Sequence, residues 1–108
     1  MNIDQIKQLQ AKLDETQALY REWLSAKEQA DEAYAAIVHA MAVMAKLEAA
    51  YLDDAFMQLH DADAKDLLDT RTLGEYSVLS EDAVYNALID KEQLLWAHLK
   101  LCIEHLQR

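Results

Sequence analysis

The stretch SAKEQAD, residues 25–31, decides how many helices this chain has. Ser25 followed by Glu28 fits the S-x-x-E capping box, and Asp31 with Glu32 offers a second helix start, so a turn is expected within residues 25–31. The segment holds neither Gly nor Pro. On the competing reading its two flanks run on as a single helix of roughly sixty residues, a length that goes with coiled coils or dimers.

Upstream, the apolar positions Ile6, Leu9, Leu13, Tyr20, Trp23 and Leu24 recur at three- and four-residue steps. This is the spacing of an amphipathic helix. Asn2 or Asp4 can cap its start. Downstream, Tyr34 through Leu59 carries the stripe Tyr34, Ile37, Val38, Met41, Met44, Leu52, Phe56 and Leu59, flanked by alanines that favour helix and permit close helix approach. Residues 61–73 begin with a cap-competent aspartate and stop before Gly74, the expected left-handed position just past a short helix. After an irregular connector, Ser80 is expected to cap a last helix, with Glu81 and Asp82 in its first turn and Val84, Tyr85, Leu88, Leu95, Leu99, Cys102, Ile103 and Leu106 on its apolar face.

With the turn in place these segments predict an all-α fold. It is an antiparallel three-long-helix bundle with a short fourth helix in the crossover between the second and third long helices, a single domain over residues 1–108. Composition agrees: one Gly, no Pro and 53% hydrophobic residues leave little for hairpins or phosphate-cradling loops. The lone Cys102 asks for no oxidising compartment. The first residues lack an apolar leader, and no run approaches the ~18 apolar residues of a membrane span. A cytoplasmic protein without membrane contact is expected.

The formal net charge of −10 argues against direct contact with nucleic acid, whose phosphates would repel it. Between residues 53 and 82 stand nine acids, Asp53, Asp54, Asp61, Asp63, Asp66, Asp69, Glu75, Glu81 and Asp82, against Lys65 and Arg71. A solvated helix face usually mixes signs, and this segment does not. A basic protein surface of the kind that binds nucleic acid is the expected partner, with these nine residues its candidate contacts, and solubility with helix capping is the other reading of the same charge.

Other chemistry is poorly supplied. An EF-hand reading beginning at Asp61 fails where Lys65, Asp66 and Thr72 occupy positions that need a ligand, a glycine and a bidentate glutamate. His98, Cys102 and His105 share one face of the last helix and are the candidate metal ligands, although three ligands from one straight helix rarely converge on one ion. Glu48 and Glu92 fall inside apolar stripes at similar heights in the expected bundle, with Lys12 as the cation to balance them, or with their tips reaching water or a basic side chain. The di-iron Glu-x-x-His signature is absent, since Tyr51 and Leu95 stand at the histidine positions. No phosphate loop or activated nucleophile is found, and neither an enzyme nor a cofactor is expected.

In size, helicity and charge the chain resembles nucleic-acid-mimicking inhibitors such as anti-restriction and anti-CRISPR proteins, a resemblance that covers no motif. It implies an acidic interaction module that blocks or escorts a basic protein. Two alternatives stand beside it. One is a metal-binding or sensory bundle using His98, Cys102 and His105. The other is a structural homodimer joined through Ile89 and Trp96 on the outer edge of the last helix.

Overall fold

The computed structural model describes residues 1–80 and 82–106. It is all-helical, with α1 at Ile3–Leu52, α2 at Asp54–Ala64 and α3 at Ala83–Leu106. An isolated bridge between Thr72 and Glu75 is the extended pairing seen among the described residues.

The turn expected in residues 25–31 does not form. Ser25 to Asp31 are helical, and the segments expected as the first and second long helices are one helix. Local chemistry explains this. Ala26, Lys27, Glu28, Gln29 and Ala30 are all good helix formers, and Lys27 donates to Asp31 one turn on at 2.7 Å. Interrupting a continuous helix forfeits backbone hydrogen bonds that a single capping box does not replace. The capping box sits at the true start instead: Asn2 N–H donates to Gln5 Oε1 at 2.9 Å, and Gln5 N–H donates to Asn2 Oδ1 at 2.8 Å.

The break comes at Asp53 rather than near residue 60. Its backbone is extended, at φ −75° and ψ 142°, and its carboxylate accepts from Ala55 N–H at 2.9 Å, so one aspartate ends α1 and caps α2. The short helix therefore covers Asp54–Ala64 and not residues 61–73. It closes with a Schellman motif, in which Asp66 N–H donates to the Asp63 carbonyl at 2.9 Å and Leu67 N–H to the Ala62 carbonyl at 3.0 Å. Asp66 takes the left-handed position, at φ 57°. Gly74 is left-handed too, at φ 78°, but inside a tight turn where Glu75 N–H donates to the Thr72 carbonyl at 3.0 Å.

Ser80 does not cap α3 as expected. Its carbonyl accepts from Ala83 N–H at 3.1 Å, while the carbonyl of Asp82, at φ 66°, takes the first helical bond from Asn86 at 2.8 Å. Asp82 thus stands just ahead of the helix rather than in its first turn, and Glu81 lies outside the described residues.

The chain divides into two units, Met1–Ala40 and Met41–Arg108. The first is a single helix, which cannot bury its own apolar stripe. The second gathers the end of α1 with α2 and α3. Among the described residues its buried side chains are Phe56 and Val84. Phe56 meets the Tyr51 and His60 rings edge-on, with centroids 5.1 and 5.0 Å away. Val84 borders the same hollow as Tyr51 and Phe56, and about two helical turns along α3 the Lys91 ammonium donates to Glu48, earlier on α1. Advancing along α3 therefore retreats along α1, so the two run antiparallel in this unit. Half-buried positions follow that contact: Met41, Met44, Leu47 and Glu48 on α1, and Ala83, Ala87, Leu88, Ile89 and Lys91 on α3.

Candidate interaction surfaces

Lys91, and not Lys12, balances Glu48; Lys12 lies on the same helix as Glu48. Side-chain exposures of 26% and 33% put the Glu48–Lys91 pair at the edge of the packed region, where an unpaired carboxylate would be costly. Glu92 is exposed and needs no partner.

The acidic residues fall into separate settings. Asp53 and Asp54 occupy the N-terminal end of α2, where the helix dipole favours them. Asp61, Asp63 and Asp66 cluster at its other end, about 15 Å away at the rise of an α-helix, where the dipole disfavours negative charge and the last turn holds no basic residue. Asp63, Asp66, Asp69 and Arg71 line one shallow depression, and Asp69 and Glu75 line the next. Within it Asp69 accepts from Arg71 Nε at 3.0 Å, Nη2 at 3.2 Å and the backbone N–H at 3.0 Å. The Arg71 side chain, aided by that N–H, holds the Asp69 carboxyl below its ordinary range, and Asp69 in turn raises the guanidinium. Asp82 borders a different hollow beside Tyr51, His60 and Val84. Asp61, Asp63 and Asp66 make no ion pair among the described residues.

His98, Cys102 and His105 are all exposed on α3, and no group of three or more histidine, cysteine or acidic side chains able to hold a metal occurs among the described residues. The edge proposed for a homodimer is divided: Trp96 is 68% exposed, whereas Ile89 is half-buried where α3 packs.

An uncovered stripe on α1 joins the apolar positions expected at residues 6–24 to the run-on helix of the competing reading. Read straight through residue 31, α1 keeps a seven-residue repeat. Its a positions are Ile6, Leu13, Tyr20, Lys27, Tyr34, Met41 and Glu48, and its d positions are Leu9, Thr16, Trp23, Ala30, Ile37, Met44 and Tyr51. Thr16, Lys27 and Glu48 alone interrupt the apolar series, and the Thr16 hydroxyl donates to the Lys12 carbonyl at 2.8 Å, so it makes no demand on a neighbour. The signal was present in the sequence, but dividing the chain at residues 25–31 hid its continuity. From Ile6 to Tyr34 the whole seam is solvent-exposed, with Trp23 at 58% and Tyr34 at 69%. Its C-terminal end, from Met41 to Glu48, is where α3 packs.

Residues 6–101 match the family described as a domain of unknown function, DUF4298. The chain belongs to that family. The match spans both the uncovered seam and the acidic segment. No curated protein and no solved structure matches the chain.

One sequence expectation is corrected by α1. By length and composition this helix could cross a membrane, since an 18-residue window in it reaches a mean hydropathy of 1.4. Alanines account for much of that value between Ala35 and Leu52, a run whose charged residues are Lys46 and Glu48. Met41, Met44, Leu47 and Glu48 within it are half-buried in the second unit, with Glu48 paired to Lys91, so this stretch is already used for packing against protein.

Proposed function

We propose that this chain is a helical protein–protein interaction module whose working surface is the a/d seam of α1, which docks a helix. The observation that carries the reading is the exposed run Ile6, Leu9, Leu13, Tyr20, Trp23 and Tyr34 on the part of α1 that forms the first unit by itself. Single exposed apolar residues are ordinary, but a heptad series sustained over this length is the pattern of a helix that pairs. Because seven residues fall short of two full helical turns, the stripe winds slowly round a straight helix, and a supercoiling partner follows it best. The finer architecture expected from the sequence, three long antiparallel helices, is on this reading the docked state. The module works by binding, and no chemical step is assigned to it.

The test is the size of the full chain in extracts of its native cells. The expected result is a complex larger than the 12.4 kDa chain that is lost on Leu13→Asp with Trp23→Asp. A chain that runs as a lone monomer both in extract and when pure overturns the reading.

A second reading is favoured by Asp61, Asp63 and Asp66. Their place at the C-terminal end of α2 costs stability, so capping does not explain them. We propose that this end of the molecule meets a basic protein surface, with charge steering the approach. Binding to a lysine-rich polypeptide is then expected at low salt, weakened by salt and by replacing the three with Asn. Binding that survives both changes overturns this second reading.

A further inference from the structure

We propose that the helix docked on the seam is the first half of α1 from a second copy of this chain. It lies antiparallel to the second half, so that two copies exchange N-terminal segments. This rests on the docking reading above and names the partner.

Three incomplete surfaces fit one another. Residues 6–24 carry a seam in a unit with no other element. The second half of α1 is only half-covered at Met41, Met44 and Leu47, and α3 leaves Leu95, Leu99, Ile103 and Leu106 exposed beyond its contact with α1. A helix laid along that antiparallel α1–α3 pair makes three long helices in contact. The segment 3–24 is the piece that the sequence pattern offers for that place. A chain that turned at residues 25–31 would deliver its own segment. A chain that stays helical there delivers it to a neighbour, which is the geometry of domain swapping.

Charge and size select the orientation. A parallel, in-register pair stacks Lys27 on Lys27 of the other copy, like charges inside a seam. An antiparallel pair with its two-fold axis between residues 28 and 29 places a against d throughout. Leu13 faces Met44, Tyr20 faces Ile37, Trp23 faces Tyr34, and Lys27 faces the small Ala30. Seam flanks at Ala33, Ala40 and Ala45 allow close approach, and the flanks at Gln5, Gln10 and Gln17 are uncharged, with Lys12 and Asp31 the charged flanking residues. Most of the chain's negative charge lies beyond residue 52, away from this contact. The exposed apolar side chains of residues 6–34 would cover roughly 900 Å² per chain, slightly above the ~800 Å² per partner of a specific interface.

The test uses the full chain with Cys102→Ser. Leu13→Cys with Met44→Cys is oxidised mildly and run without reductant beside each single variant, and the unmodified chain is sedimented in parallel. Residues 13 and 44 both belong to α1, so a disulfide between them within one copy requires that helix to break. The expected result is a covalent dimer from the double variant, none from either single variant, and an unmodified chain at twice 12.4 kDa. A dimer from Leu13→Cys alone shows parallel pairing and overturns the proposal. A disulfide within one chain shows a hairpin and overturns both it and the docking reading. A pure monomer that still joins a larger complex in extract overturns self-pairing and leaves the docking reading standing.

Discussion

Asp66 offers a direct measure of whether the acidic end of α2 serves stability. It stands at the left-handed position closing the Schellman motif, at φ 57°, where glycine is the unstrained residue and an aspartate is only tolerated. Replacing it with Gly removes that strain but gives the unfolded chain more freedom, leaving a net backbone gain of roughly 0.5 kcal/mol. It also removes a negative charge from the C-terminal end of a helix and from beside Asp63 and Asp69, worth about 0.3–1 kcal/mol at low ionic strength. Together these predict that Asp66→Gly stabilises by about 1 kcal/mol, or ~4 °C in Tm for a chain of this size. Thermal unfolding followed by helix circular dichroism, at one fixed protein concentration, reads the shift. Asp66→Asn separates the two parts, since it keeps the β-carbon in a tolerated conformation and deletes only the charge. Its smaller gain should fade as salt is added. If Asp66→Gly is no more stable than the parent at any salt, the aspartate makes a stabilising contact, and the claim that this cluster is held for something other than stability loses its footing.

Further outcomes follow from the contacts in the second unit. Lys91→Ala strands the half-buried Glu48 and is expected to cost roughly 1–2 kcal/mol in urea unfolding; Lys91→Ala with Glu48→Gln should recover part of that loss, and no recovery would mean that the pair is incidental. The Asp69 carboxyl, held below its ordinary value chiefly by Arg71, favours the folded state above the unfolded aspartate value, and the benefit is lost as pH falls through the lower folded one. An NMR titration of the carboxyl should therefore show a lowered midpoint that rises toward the ordinary range in Arg71→Ala, where the backbone N–H of residue 71 still donates. An unchanged midpoint in that variant would remove Arg71 as the cause.

Helix content was legible in the residues themselves. One glycine, no proline and apolar positions at three- and four-residue steps leave the backbone few alternatives, and of the two caps offered, Asn2 or Asp4, the structure uses Asn2. Its divisions were less legible. Ser25 and Glu28 carry a capping pattern that goes unused because good helix formers on both sides hold the backbone in one run. Asp53, without such a pattern, ends a helix because its carboxylate takes the Ala55 N–H. Individual candidates diverged for the same reason. Cys102 and its flanking histidines share a helical face yet form no group able to hold a metal among the described residues, and Glu48 found its cation on α3 rather than Lys12.

The sequence by itself determined what is local: where backbone hydrogen bonds close within a few residues, and which side chains share a stripe. Only the tertiary structure decided what each stripe meets. Pairing between Glu48 and Lys91 spans 43 residues of chain, and no periodicity encodes which distant residue completes it. Packing is a property of surfaces brought together in space, and the seam from Ile6 to Tyr34 is apolar in the sequence but exposed in the fold.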